Sequence, residues 1–379
     1  MDGLVNSCPL LDYVAEISPP GKFLLVDVGC SGGIDRQWRR MGPRLRALGI
    51  DPDVGEIERL RGREKNPRIS YLNAFAGIAA EHSFAVKRRG KIDRDRDPWT
   101  RLSTPRYMEQ VYPKGSQVTE KEKRSANLWR EAQLADPAAA VVIPEYLRSA
   151  DIGSVDFLKI DVDGKDFDIL NSFDRALSDL QVLGVGIEVR FWGSEEETDG
   201  TLHNVDRFLK ARGFELFNLS TRRYSTAALP SRFNQRAPGA TESGRLHQGD
   251  ARYARDLGSD LYDEWAWSLD AEKILNLAAI FAIFDLPDCA AEVALKFRAE
   301  LAKVCDVDQV LDRLTGQAER RLSGRSSYVK YVERFGQRPK TFLGTKNPFP
   351  KMRCAWKKGY LKWKGRMELL RIEGRGGNG

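Results

Sequence analysis

LLVDVGCSGG, residues 24–33, is the stretch that decides the fold. Its first half is apolar and is typical of a buried strand in a parallel sheet. Its second half is a glycine turn that follows the acidic Asp27, with Val28 between them. In open α/β sheets, ligands bind at the carboxyl ends of the strands, where such a turn stands. The stretch therefore predicts an open α/β sheet that holds a ligand against Gly29 and Gly33.

The class of ligand follows from the spacing of the small residues. A dinucleotide fingerprint needs three glycines, but Ser31 and Ile34 stand at two of those positions, and no G-K-[ST] phosphate loop follows. Asp51 ends the second predicted strand, where it can accept hydrogen bonds from two ribose hydroxyls. A nucleoside cofactor without phosphates is favoured, and an ordinary tight turn is the alternative. The turn reads D-x-G-x-S-x-G, formed by Asp27, Gly29, Ser31 and Gly33.

Apolar stretches alternate with helical stretches as far as residue 256. Strands are predicted at 23–28, 45–51, 68–75, 155–164, 182–191, 214–220 and 249–256. Helices are predicted between them at 54–63, 165–177 and 201–213. This alternation predicts an α/β sheet of about seven strands, with the last strand lying at one edge.

Four segments resemble the FkbM family of S-adenosylmethionine-dependent methyltransferases. They are LLVDVGCSGG, GIDPD (49–53), VDFLKIDVDGKDFDIL (155–170) and GIEVRF (186–191). The resemblance extends over roughly residues 20–260, and it departs from the family's motifs where Ser31 stands for Asn and Asp163 for Glu. It implies a Rossmann-like class I methyltransferase sheet whose last strand is antiparallel, and methyl transfer to a hydroxyl of a sugar or related metabolite. S-adenosylmethionine is then the cofactor, bound by Asp27, Gly29, Ser31, Gly33 and Asp51.

Candidate catalytic residues follow the fourth and fifth predicted strands. Methyl transfer requires an aligned acceptor oxygen, and a hydroxyl acceptor also needs a group that takes its proton. Asp161 and Glu188 stand near the ends of these strands, and either is a candidate base or orienting residue. Asp163 is a third candidate, with capping of the next helix as its alternative. His203 and His247 are candidates for substrate contact, and no metal site is assigned.

The organisation outside the sheet is predicted in four parts. Residues 1–22 form a helical lead-in, and residues 23–256 form the methyltransferase domain. Within that domain the irregular stretch 82–140 is an insertion, interpreted as a substrate lid or a disordered loop. Its Trp99, Arg101, Arg106 and Tyr107 are compatible with sugar binding but are not assigned as site residues. A helical extension, 257–319, with helices at 271–284 and 290–304, precedes a basic tail, 320–379.

The tail concentrates positive charge. It holds seventeen Lys or Arg and three Glu, so the rest of the chain is acidic. Within residues 355–371 a helix would present one aromatic and apolar stripe between lysines, formed by Trp356, Tyr360, Trp363, Met367 and Leu370. This composition favours contact with an anionic membrane, or packing on the acidic body as the alternative. Nucleic acid is not an expected partner, because the body is acidic and carries no recognised module.

The composition bounds the remaining possibilities. The chain has no apolar run of membrane-spanning length, and its start lacks the pattern of a secretory signal, so a cytoplasmic location is expected. Five scattered cysteines indicate neither a disulfide framework nor a zinc site. The sequence predicts an O-methyltransferase that acts on a sugar, glycan or glycosylated metabolite. The alternative is a non-catalytic adaptor with a methyltransferase-like fold, recruited to an anionic surface by its tail.

Overall fold

The structure is a computed structural model of the 379-residue chain. It describes residues 8–17, 19–77, 141–162, 165–193, 197, 199–224, 244–263, 269–319 and 327–338. The chain divides into two units, Met1–Arg320 and Arg321–Gly379.

Seven strands in the first unit form one mixed sheet, in the order β3-β2-β1-β4-β5-β7-β6. The first five are mutually parallel, and β7 is antiparallel to both of its neighbours. This sheet confirms the predicted Rossmann-like class I methyltransferase fold with an antiparallel last strand. The strands are β1 (Phe23–Val28), β2 (Leu45–Asp51), β3 (Ile69–Asn73), β4 (Phe157–Ile160), β5 (Gly184–Arg190), β6 (Glu215–Tyr224) and β7 (Arg245–Ala254).

The position predicted for the last strand is wrong in one respect. Strand β7 does not lie at an edge, because it is inserted between β5 and β6, and β6 is the edge strand. The reason is that β7 turns back antiparallel to β6 on the side of β6 that faces β5. It therefore occupies the position between these two strands. Strand β7 is suited to that place because Ala251 and Tyr253 are fully buried, whereas Arg222 and Arg223 of β6 are exposed.

Twelve helices of the described residues surround or follow the sheet. The predicted helix 165–177 is interrupted at Asp174, and the predicted helix 290–304 starts earlier, at Pro287, and is interrupted at Phe297. The helices are α1 (Pro9–Ile17), α2 (Arg36–Arg39), α3 (Val54–Arg63), α4 (Ile143–Ser149), α5 (Asp166–Phe173), α6 (Ala176–Asp179), α7 (Leu202–Lys210), α8 (Ala271–Ile283), α9 (Pro287–Lys296), α10 (Arg298–Leu301), α11 (Val307–Ala318) and, in the second unit, α12 (Tyr328–Gln337).

The two faces of the sheet have different cores. On one face, aliphatic side chains such as Val26, Leu158 and Ile187 pack with the buried residues of α5 and α7. On the other, Trp38 lies between Phe23 and Phe157, with ring centroids 5.7 Å and 4.5 Å away. We call this second side the aromatic face. Because side chains alternate along a strand, every second residue after Phe23 and Phe157 points to it.

Helix α8 lies in the core of the first unit. Its residues Lys273 to Ala282 are all buried, as is usual for a helix that is apolar on every side. Asp270 caps it by accepting a hydrogen bond from the Lys273 N–H at 2.8 Å. Among the helices that the structure describes, none has the length and apolarity needed to cross a bilayer.

Candidate functional site

The glycine turn after β1 is packed against both neighbouring strands. Gly29 has a φ of +86°, and a Cβ placed on it would lie 1.8 Å from the backbone oxygen of Asp161. Its N–H donates to the Ile50 oxygen at the end of β2, at 2.8 Å. No residue other than glycine fits here, since both the backbone angle and the contact exclude a side chain. The turn therefore brings the ends of β1, β2 and β4 together.

The far side of the turn is open. Gly32 has a φ of +92°, and a Cβ at this position would meet nothing within 4 Å. Its N–H donates to Oε1 of Glu56 at 2.8 Å, and the Gly33 N–H donates to the Cys30 oxygen at 2.8 Å. Ser31, which lies between Cys30 and Gly32, is exposed. The backbone of the turn is thus held by hydrogen bonds within the protein, and it is exposed to a ligand at Ser31 and Gly32.

Asp51 faces this turn from the end of β2. Its carboxylate accepts hydrogen bonds from the N–H of Asp53 at 2.9 Å and from the N–H of Ser31. Burial raises the pKa of Asp51 above its usual range, and these hydrogen bonds act in the opposite direction. Asn73 supports the same segment by donating to the Asp51 backbone oxygen at 3.1 Å. An acceptor group is therefore held beside the turn, as ribose hydroxyls require.

Asp27 lies under the turn, on the aromatic face. It is 1 % exposed, and its Oδ1 accepts a hydrogen bond from Nζ of Lys159 at 2.9 Å. Burial raises the pKa of the Asp27 carboxyl to about 6, although the Lys159 ammonium lowers it. Burial lowers the pKa of Lys159, but the carboxylates of Asp27 and Asp161 outweigh it and hold that pKa above its usual value. Asp27 is thus buried next to the turn and paired with Lys159, and its assignment to the cofactor stays a prediction.

The register places the two main catalytic candidates side by side. Ile160 of β4 pairs with Ile187 of β5, so the next residues, Asp161 and Glu188, are neighbours. Both point to the aromatic face, because they continue the alternation of Phe157 and Lys159 on β4 and of Gly186 on β5. The Asp161 side chain is 45 % exposed and that of Glu188 is 7 % exposed. Asp161 is the more accessible of the two carboxylates.

Glu188 belongs to an ion-pair network that extends to the sheet edge. Its Oε1 accepts from Arg222 at 2.9 Å, and its Oε2 accepts from Gln248 at 3.1 Å. Arg222 also donates to Oδ1 of Asp250 at 3.1 Å. Asp250 is the direct pairing partner of Glu188 on β7. Arg222 and Asp250 were not found from the sequence, because strand pairing brings them to the site. Lys159 was not singled out either, although it stands in the same motif as Asp161.

The remaining candidates are placed as follows. His247 is 5 % exposed, with its ring centroid 6.0 Å from that of Trp192, whereas His203 is exposed on α7. Asp163 lies outside the described residues, as do Trp99, Arg101 and the rest of the 82–140 insertion.

Two further features of the described residues bear on this site: their potential metal ligands and a cavity that lies elsewhere in the first unit. Within the described ranges, no group of three or more His, Cys, Asp or Glu is arranged to hold a metal ion. A cavity of about 230 Å³ lies between α4 and α6, lined by residues such as Pro144, Arg148 and Leu180. It contains none of the predicted site residues, so it is separate from the glycine turn.

Comparison with known proteins identifies the class of the domain. The model of the methyltransferase FkbM domain matches residues 40–216. That segment includes Asp51, Asp161 and Glu188 and begins after the glycine turn. The match confirms the predicted resemblance over these residues, and with it S-adenosylmethionine as the cofactor. No curated protein matches the chain.

Solved structures give only a distant likeness. Precorrin-6y C5,15-methyltransferase from Geobacter metallireducens is 10 % identical, with 67 % of this chain and 91 % of that chain covered and a TM-score of 0.28. A TehB-like SAM-dependent methyltransferase from Corynebacterium glutamicum is 12 % identical, with 65 % and 87 % covered and a TM-score of 0.25. Because both TM-scores are low, the fold is identified from the strand order of the sheet and not from these two structures.

Proposed function

We propose that this chain, which contains a methyltransferase FkbM domain, transfers a methyl group from S-adenosylmethionine to a hydroxyl group of a sugar, a glycan or a glycosylated metabolite. One observation carries the proposal. Gly29 of the open turn is in direct contact with the Asp161 backbone, while the Asp161 carboxylate is exposed beside it. A cofactor on the turn and an acceptor at Asp161 would therefore be neighbours.

The described residues fit the cofactor. The open backbone at Gly32 accommodates a ligand, and Asp51 supplies an acceptor for the two ribose hydroxyls. Cys30 is buried beneath the turn, where burial raises the pKa of its thiol well above the usual range, so it is an inert packing residue. S-adenosylmethionine supplies an electrophilic methyl group when it is bound. The chain itself has to position the acceptor oxygen and remove its proton.

We assign the role of base to Asp161 and a positioning role to Glu188. A general base must come within hydrogen-bond reach of the proton that it takes. Asp161 is half-exposed, whereas both oxygens of Glu188 accept hydrogen bonds from Arg222 and Gln248. A carboxylate oxygen of Asp161 would accept the hydroxyl proton as the acceptor oxygen bonds to the methyl carbon. The bond from that carbon to the cofactor sulfur would break at the same time, and its electron pair would leave with the sulfur as a neutral thioether. Glu188 holds Arg222 at the adjacent position on the same face.

The acceptor class is inferred from the groups next to Asp161. Carboxylates at positions 161, 188 and 250 stand on adjacent strands of one face, with Arg222 between the last two. Such a row of acceptors and donors suits a ligand with several hydroxyls. The FkbM resemblance points to the same class, although a fold by itself does not specify a substrate.

Contact with an anionic membrane is a separate proposal, as is a cytoplasmic location. The membrane proposal is supported by the basic composition of the tail, but residues 355–371 lie outside the described part of the chain. Sedimentation with anionic and with neutral liposomes tests it. Binding to anionic liposomes without binding of S-adenosylmethionine would favour the non-catalytic adaptor.

Calorimetric titration with S-adenosylmethionine, S-adenosylhomocysteine and NAD tests the main proposal. We expect the first two to bind with micromolar affinity and NAD not to bind. Asp51→Asn should weaken both by at least about tenfold, since it removes an ionised acceptor of two hydroxyl hydrogen bonds. Asp260→Asn is a matched control, because the Asp260 side chain is 93 % exposed. Absence of binding to the wild-type protein would contradict the proposal.

A further inference from the structure

Lys159 joins two carboxylates that differ in their access to solvent. Its Nζ lies 2.9 Å from Oδ1 of Asp27 and 3.6 Å from Oδ2 of Asp161. The Asp27 side chain is 2 % exposed and that of Asp161 is 45 % exposed. One ammonium group therefore links the buried support of the glycine turn to the exposed group beside it.

The backbone couples the same two places. The Asp161 N–H donates to the Val28 oxygen at 2.9 Å, and Gly29 leaves no space between the turn and the Asp161 oxygen. Asp27 and Lys159 are direct pairing partners on β1 and β4. A displacement at the end of β4 would therefore move the turn as well, because close-packed atoms cannot yield independently.

We infer that Lys159 is a positioning residue that holds the cofactor turn and the Asp161 carboxylate in one arrangement by pairing with Asp27 and Asp161 together. The inference rests on the proposed function, which assigns the turn to S-adenosylmethionine and Asp161 to the acceptor. Lys159 touches neither ligand in this role. It acts through the two carboxylates.

The charges around Asp27 indicate how the role can be measured. Asp27 faces Lys159 and Asp161 at β4, Asp35 before α2, and the thiol of Cys30. The two acidic groups disfavour its ionisation, whereas Lys159 favours it. With Lys159 in place, Asp27 should take up its proton as the pH falls through about 6. Once Asp27 is protonated, Lys159 loses its buried partner and only Asp161 remains to hold it.

The experiment is a calorimetric titration with S-adenosylhomocysteine between about pH 5.5 and about pH 8.5, chosen to span the Asp27 transition. For the wild-type protein we expect affinity to fall as the pH falls through about 6. In Lys159→Met this fall should be absent, so that its affinity is below that of the wild-type protein at about pH 8.5 and close to it at about pH 5.5, because the pair that protonation of Asp27 breaks does not exist in the variant. Lys159→Arg should keep the wild-type midpoint, because it keeps the positive charge. Lys210→Met is the control, since Lys210 is 50 % exposed on α7.

The pH profile separates this role from simple packing. If Lys159 only filled space, Lys159→Met would weaken binding by the same factor at every pH and keep the fall through about 6, which would overturn the inference. Lys159→Gln, a polar replacement, serves as a second variant if Lys159→Met does not fold. A wild-type protein that fails to bind S-adenosylhomocysteine at every pH would overturn the proposed function and the inference with it. Binding by Lys159→Met that keeps the wild-type fall with pH would overturn the inference alone.

Discussion

Lys273 of α8 forms a buried ion pair with Asp156, the residue before β4, with Nζ 3.0 Å from Oδ1. The Asp156 carboxylate also accepts from the Leu24 N–H at 2.7 Å and from Asn276 Nδ2 at 2.8 Å. Arg44, which is fully buried, donates to Oδ1 of Asn276 at 2.8 Å. These contacts join a helix from the C-terminal third of the chain to the centre of the sheet. Helix α8 is therefore a structural part of the first unit.

Lys273→Met should destabilise the protein strongly. Burial lowers the pKa of Lys273, and loss of its ammonium would leave Asp156 buried without its cationic partner. Removal of one partner of a buried pair costs about 3–5 kcal/mol. Urea denaturation should show this loss, whereas Lys303→Met should change stability little, because Lys303 is 64 % exposed. An equal stability of the two variants would show that the pair contributes little.

Gly29→Ala should abolish cofactor binding and lower the melting temperature. The new methyl group would overlap the Asp161 oxygen, and alanine disfavours a φ of +86°. Gly62→Ala is the matched control, since Gly62 lies inside α3 and a Cβ there would meet nothing within 4 Å. The control should be stabilised by roughly 0.5–1 kcal/mol, because alanine favours helix. Differential scanning fluorimetry with and without S-adenosylhomocysteine measures both effects, and unchanged binding in Gly29→Ala would contradict the assignment of the turn.

The sequence predicts the first half of the sheet well, and the reason is local. Strands β1 and β2 and helix α3 have the predicted bounds, because continuous apolar runs mark buried strands and Asp53 caps the helix through the Glu56 N–H at 3.1 Å. Helix α11 lies within the predicted helical extension, 257–319, but was not given bounds of its own, and β7 was wrongly predicted to lie at the edge of the sheet. Alternation along a strand shows which face a side chain occupies, but it does not name the neighbouring strand.

The same limit applies to the site. Asp27 and Asp161 were identified because each stands in a short motif at the end of an apolar strand. Lys159 stands in the same motif as Asp161. It is two residues after Phe157 on the same strand, and this spacing was a usable signal that both side chains point to the aromatic face. Arg222 and Asp250 had no such signal, because only the β5–β7–β6 pairing brings them to Glu188.

Asp27 should make stability depend on pH. A carboxyl group whose pKa is raised in the folded state stabilises the fold while it is protonated. This contribution is complete below its ordinary pKa of 3.8 and is lost as the pH rises through about 6. Asp27→Asn stays neutral at every pH. Its free energy of unfolding, relative to that of the wild-type protein, should therefore rise by up to about 3 kcal/mol as the pH rises from below 3.8 to above about 6.

Urea denaturation of both proteins at several pH values measures this difference. Asp260→Asn, with its exposed side chain, should run parallel to wild type throughout. A constant difference between Asp27→Asn and wild type would show that Asp27 titrates alike in the folded and unfolded chains.

Asp161→Asn and Glu188→Gln should separate catalysis from binding. At about pH 8, both should bind S-adenosylhomocysteine nearly like the wild-type protein, because the ionised Asp27 still holds Lys159 and neither replacement alters Asp51. Asp161→Asn should lower methyl transfer by about 10²–10⁴-fold, since it removes the base. Glu188→Gln should lower it less, because it weakens the charged contact with Arg222 at 2.9 Å but leaves the base in place. Transfer of a labelled methyl group to an acceptor found by screening hydroxylated sugars is the measurement, and a larger loss in Glu188→Gln would reverse the two roles.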